Sequence, residues 1–554
     1  MAKDTPRPGQ DRKSVRGSDE ERLFRQTGPS SRNPPPEVSM KHLTLTTCIT
    51  AAMLATSAYA ATPADTLVIG KAADPQTIDP GVTIDNNDFT IAYPAYQRLV
   101  AYDVKDGKGQ TTVSGQLAES WTVSPDGKVW EFKLKPGNVF SDGSPVDAEA
   151  VRFSFERLMT LAQGPSEAFP AGLAVEAVDP MTVRFTLPDP FTPFLYTLAN
   201  GGAAIVNPKV MEHEKDGDLG RGWLSANTAG SGAYMLANWE KGQSIKLVPN
   251  PHYGGEAPAL ASVEVRIVPD ASARRLALEA GDLDIAESLP VDQTAALEGV
   301  NGVEVQTNPS LLVTYLYMNN AKSPFDSVEA RKALIAAVDK DAIIEGIMMG
   351  QAKPLNGPIP EGMWGYDASI PASEYDPAAA KAAFADLGLS GKTVTFALSE
   401  QDAAWPMIAL AVQANLAAAG VNVKLESSAN ASYRDRLGAG DFDIAIGNWS
   451  PDFADPYMFM NYWFDSTKKG LSGNRSFYSN PKVDELVRTA ATTTEQPERE
   501  ALYQEAQKIV VDEAAYNYLF QRSSQLAMRD NVKGYVFNPM LENIYDFAAM
   551  SKTQ

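Results

Sequence analysis

Apolar and polar residues alternate along Trp130-Glu131-Phe132-Lys133-Leu134, and a period of two marks a half-buried strand. Pro125-Asp126-Gly127 just before it supplies the turn of a hairpin. The span 101–160 reads as a series of such hairpins, closed by a helix over 147–159 with Asp147 as its N-cap. A further strand is expected over 182–187. Upstream, a strand over 66–70 leads through Ile78-Asp79-Pro80 to a helix over 89–98 and a strand at 99–100.

Beyond residue 230 the pattern changes. Gly230-Ser231-Gly232-Ala233-Tyr234 reads as a tight turn into a hairpin around Trp239 and 245–248. A strand over 263–267, a helix over 271–280 and a strand over 284–286 then form a β-α-β unit. The second half repeats the alternation, with strands over 394–398, 421–425 and 442–446 and helices over 405–419 and 433–439. This predicts α/β lobes with a largely parallel sheet. Ala280-Gly281-Asp282-Leu283-Asp284-Ile285-Ala286 is echoed by Ala439-Gly440-Asp441-Phe442-Asp443-Ile444-Ala445. In each, a helix is expected to end at glycine and a strand to follow. Two related lobes facing a cleft fit that echo.

One apolar pattern stands apart. Met40 and Lys41 open a mostly apolar run over 43–55, which ends in the small residues Thr56-Ser57-Ala58-Tyr59-Ala60-Ala61. This is the layout of a secretory signal peptide over 40–60, with cleavage near Ala60/Ala61 and a destination outside the cytoplasm. The run is too short to span a bilayer. Residues 1–39 are rich in Pro, Arg, Ser and Asp and lack apolar periodicity, so they read as a disordered leader. A signal peptide behind such a leader makes Met40 the expected start and the leader a start-site artefact.

Composition narrows the chemistry. The chain has 554 residues, 44% hydrophobic and 21% charged, enough for two or three lobes. Its net charge is −21. Residues 1–60 hold nine Lys/Arg and six Asp/Glu; the remaining 39 Lys/Arg against 63 Asp/Glu give −24. So acidic a body disfavours nucleic acid and anionic lipid as partners. The single cysteine, Cys48, falls in the signal segment behind Thr47, an unsuitable setting for lipidation. The expected mature chain therefore has no disulfide and no cysteine metal site. It retains two histidines, His213 among charges and His252 in Asn250-Pro251-His252-Tyr253, both read as surface residues. No cofactor or metal is expected.

Phosphate-loop, nucleophile-elbow, zincin and dinucleotide-binding patterns are all missing. The densest constellation is Asn448-Trp449-Ser450-Pro451-Asp452-Phe453-Ala454-Asp455-Pro456-Tyr457, followed by Tyr462-Trp463-Phe464. It follows an expected strand, where an α/β lobe presents ligand loops. A carboxylate among aromatic rings suits an ammonium with apolar attachments. The same residues equally suit a proline-stiffened loop packing a lobe edge, and composition leaves both readings open.

Longer motifs add a resemblance. Leu117-Ala118-Glu119-Ser120-Trp121, Trp130-Glu131-Phe132-Lys133-Leu134-Lys135-Pro136-Gly137 and Phe140-Ser141-Asp142-Gly143-Ser144-Pro145-Val146 resemble the family-5 extracellular solute-binding proteins, the peptide- and nickel-type binding components of ABC importers. Gly230-Ser231-Gly232-Ala233-Tyr234 and Tyr317-Met318-Asn319-Asn320 extend the resemblance over 65–550. It implies an α/β, two-lobed periplasmic-binding-protein fold of type II-like form, with an extra β-rich domain and a hinge that closes on ligand. The expected division is 61–97 with 223–308 and 525–554 as lobe I, 98–222 as the extra domain, and 309–524 as lobe II. Members bind and deliver, so no catalysis is expected; the implied partners are a small-molecule or peptide ligand and the transmembrane permease, with the protein itself a monomer.

In the peptide-binding branch an Asp three residues after Trp takes the ligand's α-amino group. Trp449 and Asp452 match that pattern here, with Asp455-Pro456 behind them. With Phe453 and Tyr457 they form the candidate site. The loop Ile84-Asp85-Asn86-Asn87 corresponds to the family's ligand-facing loop, making Asp85, Asn86 and Asn87 further candidates. Its polarity departs from the family pattern and suits an opine or sugar derivative as the alternative ligand. A partner for a peptide carboxylate is not evident; Arg475 and Arg434 are the candidates. Scarce histidine argues against nickel chelates, and a secreted carboxylate hydrolase lacks any defensible carboxylate pair.

Overall fold

The computed structural model describes residues 62–399, 402, 404–471 and 473–553. The leader, the signal segment with Cys48 and the cleavage site lie outside the described residues. Among the described residues, no helix is long and apolar enough to cross a membrane.

An eleven-stranded sheet forms the backbone of the fold. It runs from Asn422–Ser428 at one edge through Thr393–Ser399, Ile444–Trp449, Val303–Met318, Tyr516–Arg529, Ile285–Ala286, Thr66–Lys71, Ser262–Ile267 and Ser244–Pro249 to Tyr234–Glu240; Ala352–Pro354 pairs beside Tyr516–Arg529. The expectation of a largely parallel sheet needs correction. Parallel pairing is confined to Thr393–Ser399 with its two neighbours and Thr66–Lys71 with its two. The strands between these groups, Val303–Met318 and Tyr516–Arg529, run antiparallel to each other. Sequence alternation identified the β-α-β units but carried no sign of the strands that join them.

Those two long strands pair from Val303↔Arg529 to Tyr317↔Tyr516, with register shifts between Pro309 and Val313 and between Thr314 and Tyr315. Proline has no N–H to give the ladder, so pairing is weakest at Pro309. Gln521 compensates there by donating to the Ser310 carbonyl at 2.7 Å. On one side of this irregularity Leu526 and Met528 pack with Leu67, Ile69, Val263 and Ile285. On the other, Val313, Tyr315, Tyr516 and Phe520 pack with Phe396, Ile444 and Trp463. The same strands thus enter two separate cores.

A third core is built on a four-stranded antiparallel sheet, Ala118–Val123, Val129–Leu134, Thr182–Thr186 and Ala174–Asp179. Phe132, Phe185, Phe155 and Phe194 fill it, beneath the helix Ala148–Leu161. Asp147 caps that helix as expected, accepting from Ala150 N at 2.9 Å. Arg157 on the same helix holds Asp79 with two buried contacts, 2.9 and 2.5 Å, tying this sheet's helix to the loop after the first strand.

The helix expected over 89–98 is shorter and starts earlier, at Asn86–Ala92, with Asp85 accepting from Asn87 N at 2.9 Å. Pro94 lacks the N–H needed to continue an α-helix, and a single 3-10 turn, Tyr93–Ala95, follows. The echoed glycines both cap helices in the left-handed region, Gly281 at φ +83° and Gly440 at φ +69°, a conformation glycine adopts without steric cost.

Candidate functional site

The strand Ile444–Trp449 ends in the loop 450–456, which feeds the helix Tyr457–Phe464. The loop is fixed by its backbone and by one buried side chain. Asn200 donates to the Asp452 carbonyl at 2.9 Å and Trp364 Nε1 to the Ala454 carbonyl at 2.8 Å. Asp455 turns inward, accepts from Tyr457 N at 2.9 Å and meets Arg499, whose Nη2 donates to Oδ1 at 2.9 Å while Nη1 lies 2.8 Å from Oδ2. Burial opposes the Arg499 charge, but the Asp455 carboxylate outweighs it and holds the guanidinium above its ordinary pKa.

With its backbone held, Asp452 presents its carboxylate to a cavity of about 1250 Å³. Phe453 and Tyr457 form the wall beside it, with Phe191 edge-on to Tyr457 at 5.2 Å between ring centroids. Ile84, Asp85 and Asn86 also line it, together with Met540, Leu541 and Glu542 of the C-terminal segment. Among the described residues, the charged side chains on the lining are Asp85, Glu167, Asp189, Asp452 and Glu542, against a single cation, Lys468. The interior therefore favours positive charge.

Asp452 is exposed to the open cavity, and the protein around it removes part of its water. That desolvation, reinforced by the Glu167 charge, pushes its carboxyl up to about 6. Burial likewise raises Glu542, against hydrogen bonding from Ser524 and the Arg522 charge. Lys468 donates to Tyr457 Oη at 2.5 Å and lies 5.1 Å from the Tyr462 ring centroid. Burial lowers its pKa, opposed by Asp465.

Five of the residues put forward from sequence, Asp85, Asn86, Asp452, Phe453 and Tyr457, meet on this cavity. Three do not. Asp455 is fully buried in its ion pair and has no face on the cavity. Asn87 points back into the fold, donating to the Asp74 carbonyl at 3.0 Å. Trp449 lines a second, smaller cavity with Arg434 and Arg475. Glu167, Asp189, Glu542 and Lys468 went unrecognised, because each sits in an ordinary polar stretch far along the chain from Asp452 or without a motif around it.

Neither histidine reaches the cavity; both are exposed, and His213 stacks on Trp223 with ring centroids 4.3 Å apart. Among the described residues, no group of three His, Cys, Asp or Glu is placed to hold a metal ion.

The model of the bacterial extracellular solute-binding proteins, family 5, matches residues 112–470. The chain belongs to this family. The family-5 protein is 56% identical over 495 residues to an Escherichia coli K12 protein named "Probable D,D-dipeptide-binding periplasmic protein DdpA", covering 89% of this chain and 96% of that one. Among solved structures it is similar to the periplasmic binding protein DppA of Helicobacter pylori in complex with the peptide STSA, at 29% identity and TM-score 0.70, covering 88% of this chain and 98% of that one. It is also similar to HbpA2 of Haemophilus parasuis, at 25% identity and TM-score 0.80, covering 88% and 100%. The fold is the two-lobed α/β fold of periplasmic binding proteins.

Proposed function

We propose that this family-5 protein is the periplasmic binding component of an ABC importer and takes short peptides by their amino terminus, with D,D-dipeptides as the specific ligand class. One observation carries the reading: Asp452, a carboxylate without a cationic partner among the described residues, faces a large, aromatic-walled cavity whose lining is acidic. An α-ammonium seated there supplies the missing counter-charge. The dipeptide class follows the name of the 56% identical relative, and the cavity of about 1250 Å³ leaves room for longer peptides.

Delivery uses closure of lobes over residues 61–97 with 223–308 and 525–554, and over 309–524, with 98–222 as the extra domain. The separate cores support this division, and the paired strands crossing at Asn308↔Ser524, beside the Pro309 irregularity, are the natural hinge. Ligand contacts made only in the closed form shift the population toward it. A monomer exported by its signal segment, the protein hands ligand to the transmembrane permease and performs no chemistry on it.

The opine or sugar alternative rested on the polarity of Asp85, Asn86 and Asn87. Most of that polarity is used internally: Asp85 caps a helix, Asn87 bonds the Asp74 carbonyl and Asn86 the Glu542 carbonyl. Native mass spectrometry of the protein as purified from cells tests the ligand class. Added masses that fragment into peptides are expected; one discrete non-peptide mass contradicts the reading.

Binding is also expected to depend on pH. Asp452 starts at about 6 in the free protein, and a bound ammonium favours its ionised form, so binding expels the proton. Affinity is complete above pH 6 and falls as pH drops through that value, by about tenfold per unit until the lower pKa of the complex is reached. Titration calorimetry at a series of pH values checks this; constant affinity below pH 6 contradicts it.

A further inference from the structure

Among the described residues, nothing hydrogen-bonds the Asp452 carboxylate. Its position is therefore set by its backbone, and the side chains that hold the 452 and 454 carbonyls both lead to one segment, residues 191–203. Asn200 holds the Asp452 carbonyl directly. Trp364, which holds the Ala454 carbonyl, is stacked on Tyr196 with ring centroids 6.0 Å apart. Phe191, at the head of the segment, stands edge-on to Phe453 at 6.4 Å and to Tyr457 at 5.2 Å. Beside it Thr192 N donates to the Ala491 carbonyl at 3.0 Å.

Asn200 is aimed by its own turn. Its Oδ1 accepts from Gly202 N at 3.0 Å and caps the 3-10 turn Gly201–Ala203, which leaves Nδ2 free to donate to Asp452. The turn is wedged in place. A Cβ on Gly202 would stand 2.5 Å from Pro165 Cβ, and one on Gly201 would overlap the Phe89 ring, so only glycine permits the approach. Just beyond, Ile205 N donates to the Gln97 carbonyl at 2.9 Å, and Ala204 and Val206 pack with Ala95 and Tyr96. The segment is thus seated on the chain around 89–97 and reaches from there to the loop 450–456. Binding constellations need to be held to about 0.5 Å by the residues around them, and here that support comes from the β-rich domain rather than from the lobe that carries Asp452.

We propose that Asn200, supplied by the extra domain, is a positioning residue for peptide binding: it holds the Asp452 backbone so that the carboxylate meets the ligand's ammonium. The segment 191–203 is then a working part of the binding site. This rests on the reading that Asp452 holds the ammonium and on the division that assigns 98–222 to the extra domain.

A double-mutant cycle measured by calorimetric titration with D-alanyl-D-alanine tests it. Asn200→Ala is expected to weaken binding by about 3- to 10-fold, the scale of one hydrogen bond. In the Asp452→Asn background the same substitution is expected to change affinity by less than about twofold, because the charge being positioned is gone. An equal loss in both backgrounds assigns Asn200 to the fold at large and overturns the positioning role. If Asn200→Ala does not fold, Asn200→Ser carries the same comparison: its hydroxyl still caps the turn, but the amide N–H that holds Asp452 is removed. If Asp452→Asn weakens binding and the Asn200 variants do not, the positioning role alone is overturned. If Asp452→Asn leaves affinity unchanged, or the wild-type protein does not bind the dipeptide, the ammonium reading falls and the positioning role falls with it.

Discussion

Asp452→Asn is expected to weaken binding of D-alanyl-D-alanine by two orders of magnitude or more, about 3 kcal/mol. The substitution keeps the side chain's size and its backbone bond from Asn200, and removes only the charge. In the closed protein the ligand's ammonium then sits among aromatic walls with its nearest counter-charge gone. The same substitution is expected to raise the melting temperature of the ligand-free protein at neutral pH. The sign follows from the raised pKa: a carboxyl that ionises near 6 when folded and near 3.8 when unfolded makes the folded state less stable above pH 6. Asparagine removes that penalty. Weaker binding together with a higher melting temperature identifies a carboxylate kept uncompensated for its ligand. A lower melting temperature with unchanged affinity would mark Asp452 as a structural residue.

Asp455, three residues on, is expected to behave in the opposite way. Asp455→Ala strands Arg499 in a site where both side chains are almost completely buried, 2% and 0% exposed. Removing one partner of such a pair costs about 3–5 kcal/mol, and the urea midpoint should fall accordingly. Affinity measured where the variant remains folded should change only a few-fold, because Asp455 does not touch the cavity. Replacing both residues with apolar ones, Asp455→Leu with Arg499→Met, should recover part of the loss. An unchanged midpoint in Asp455→Ala would contradict this account of the loop. The two substitutions together dissect a motif whose acidic residues look equivalent in sequence.

That equivalence shows where sequence reasoning reached its limit. Alternation and helical periodicity located most elements of the fold, and the Asp147 cap and the Gly281 and Gly440 turns appear where local chemistry required them. Local patterns did not reveal the antiparallel crossing of Val303–Met318 with Tyr516–Arg529, because its pairing joins segments some two hundred residues apart. Within the site, the Trp-Asp motif led to Asp452. Which acidic residue faces the cavity and which is neutralised by Arg499 depends on a helix more than forty residues away. Glu167, Glu542 and Lys468 come from three distant segments that share only the cavity. The polar loop at 85–87 suggested hydroxyl recognition until its side chains were seen to serve a helix cap and two carbonyls.

The central claim is recognition of a peptide's amino terminus by Asp452, and titration of the wild-type protein with D-alanyl-D-alanine and its N-acetyl derivative tests it most directly. Acetylation removes the ammonium and leaves both residues and the carboxylate in place. The account predicts that the free amine binds and the acetylated dipeptide is weaker by about 100-fold or more; equal affinity for the two would contradict it.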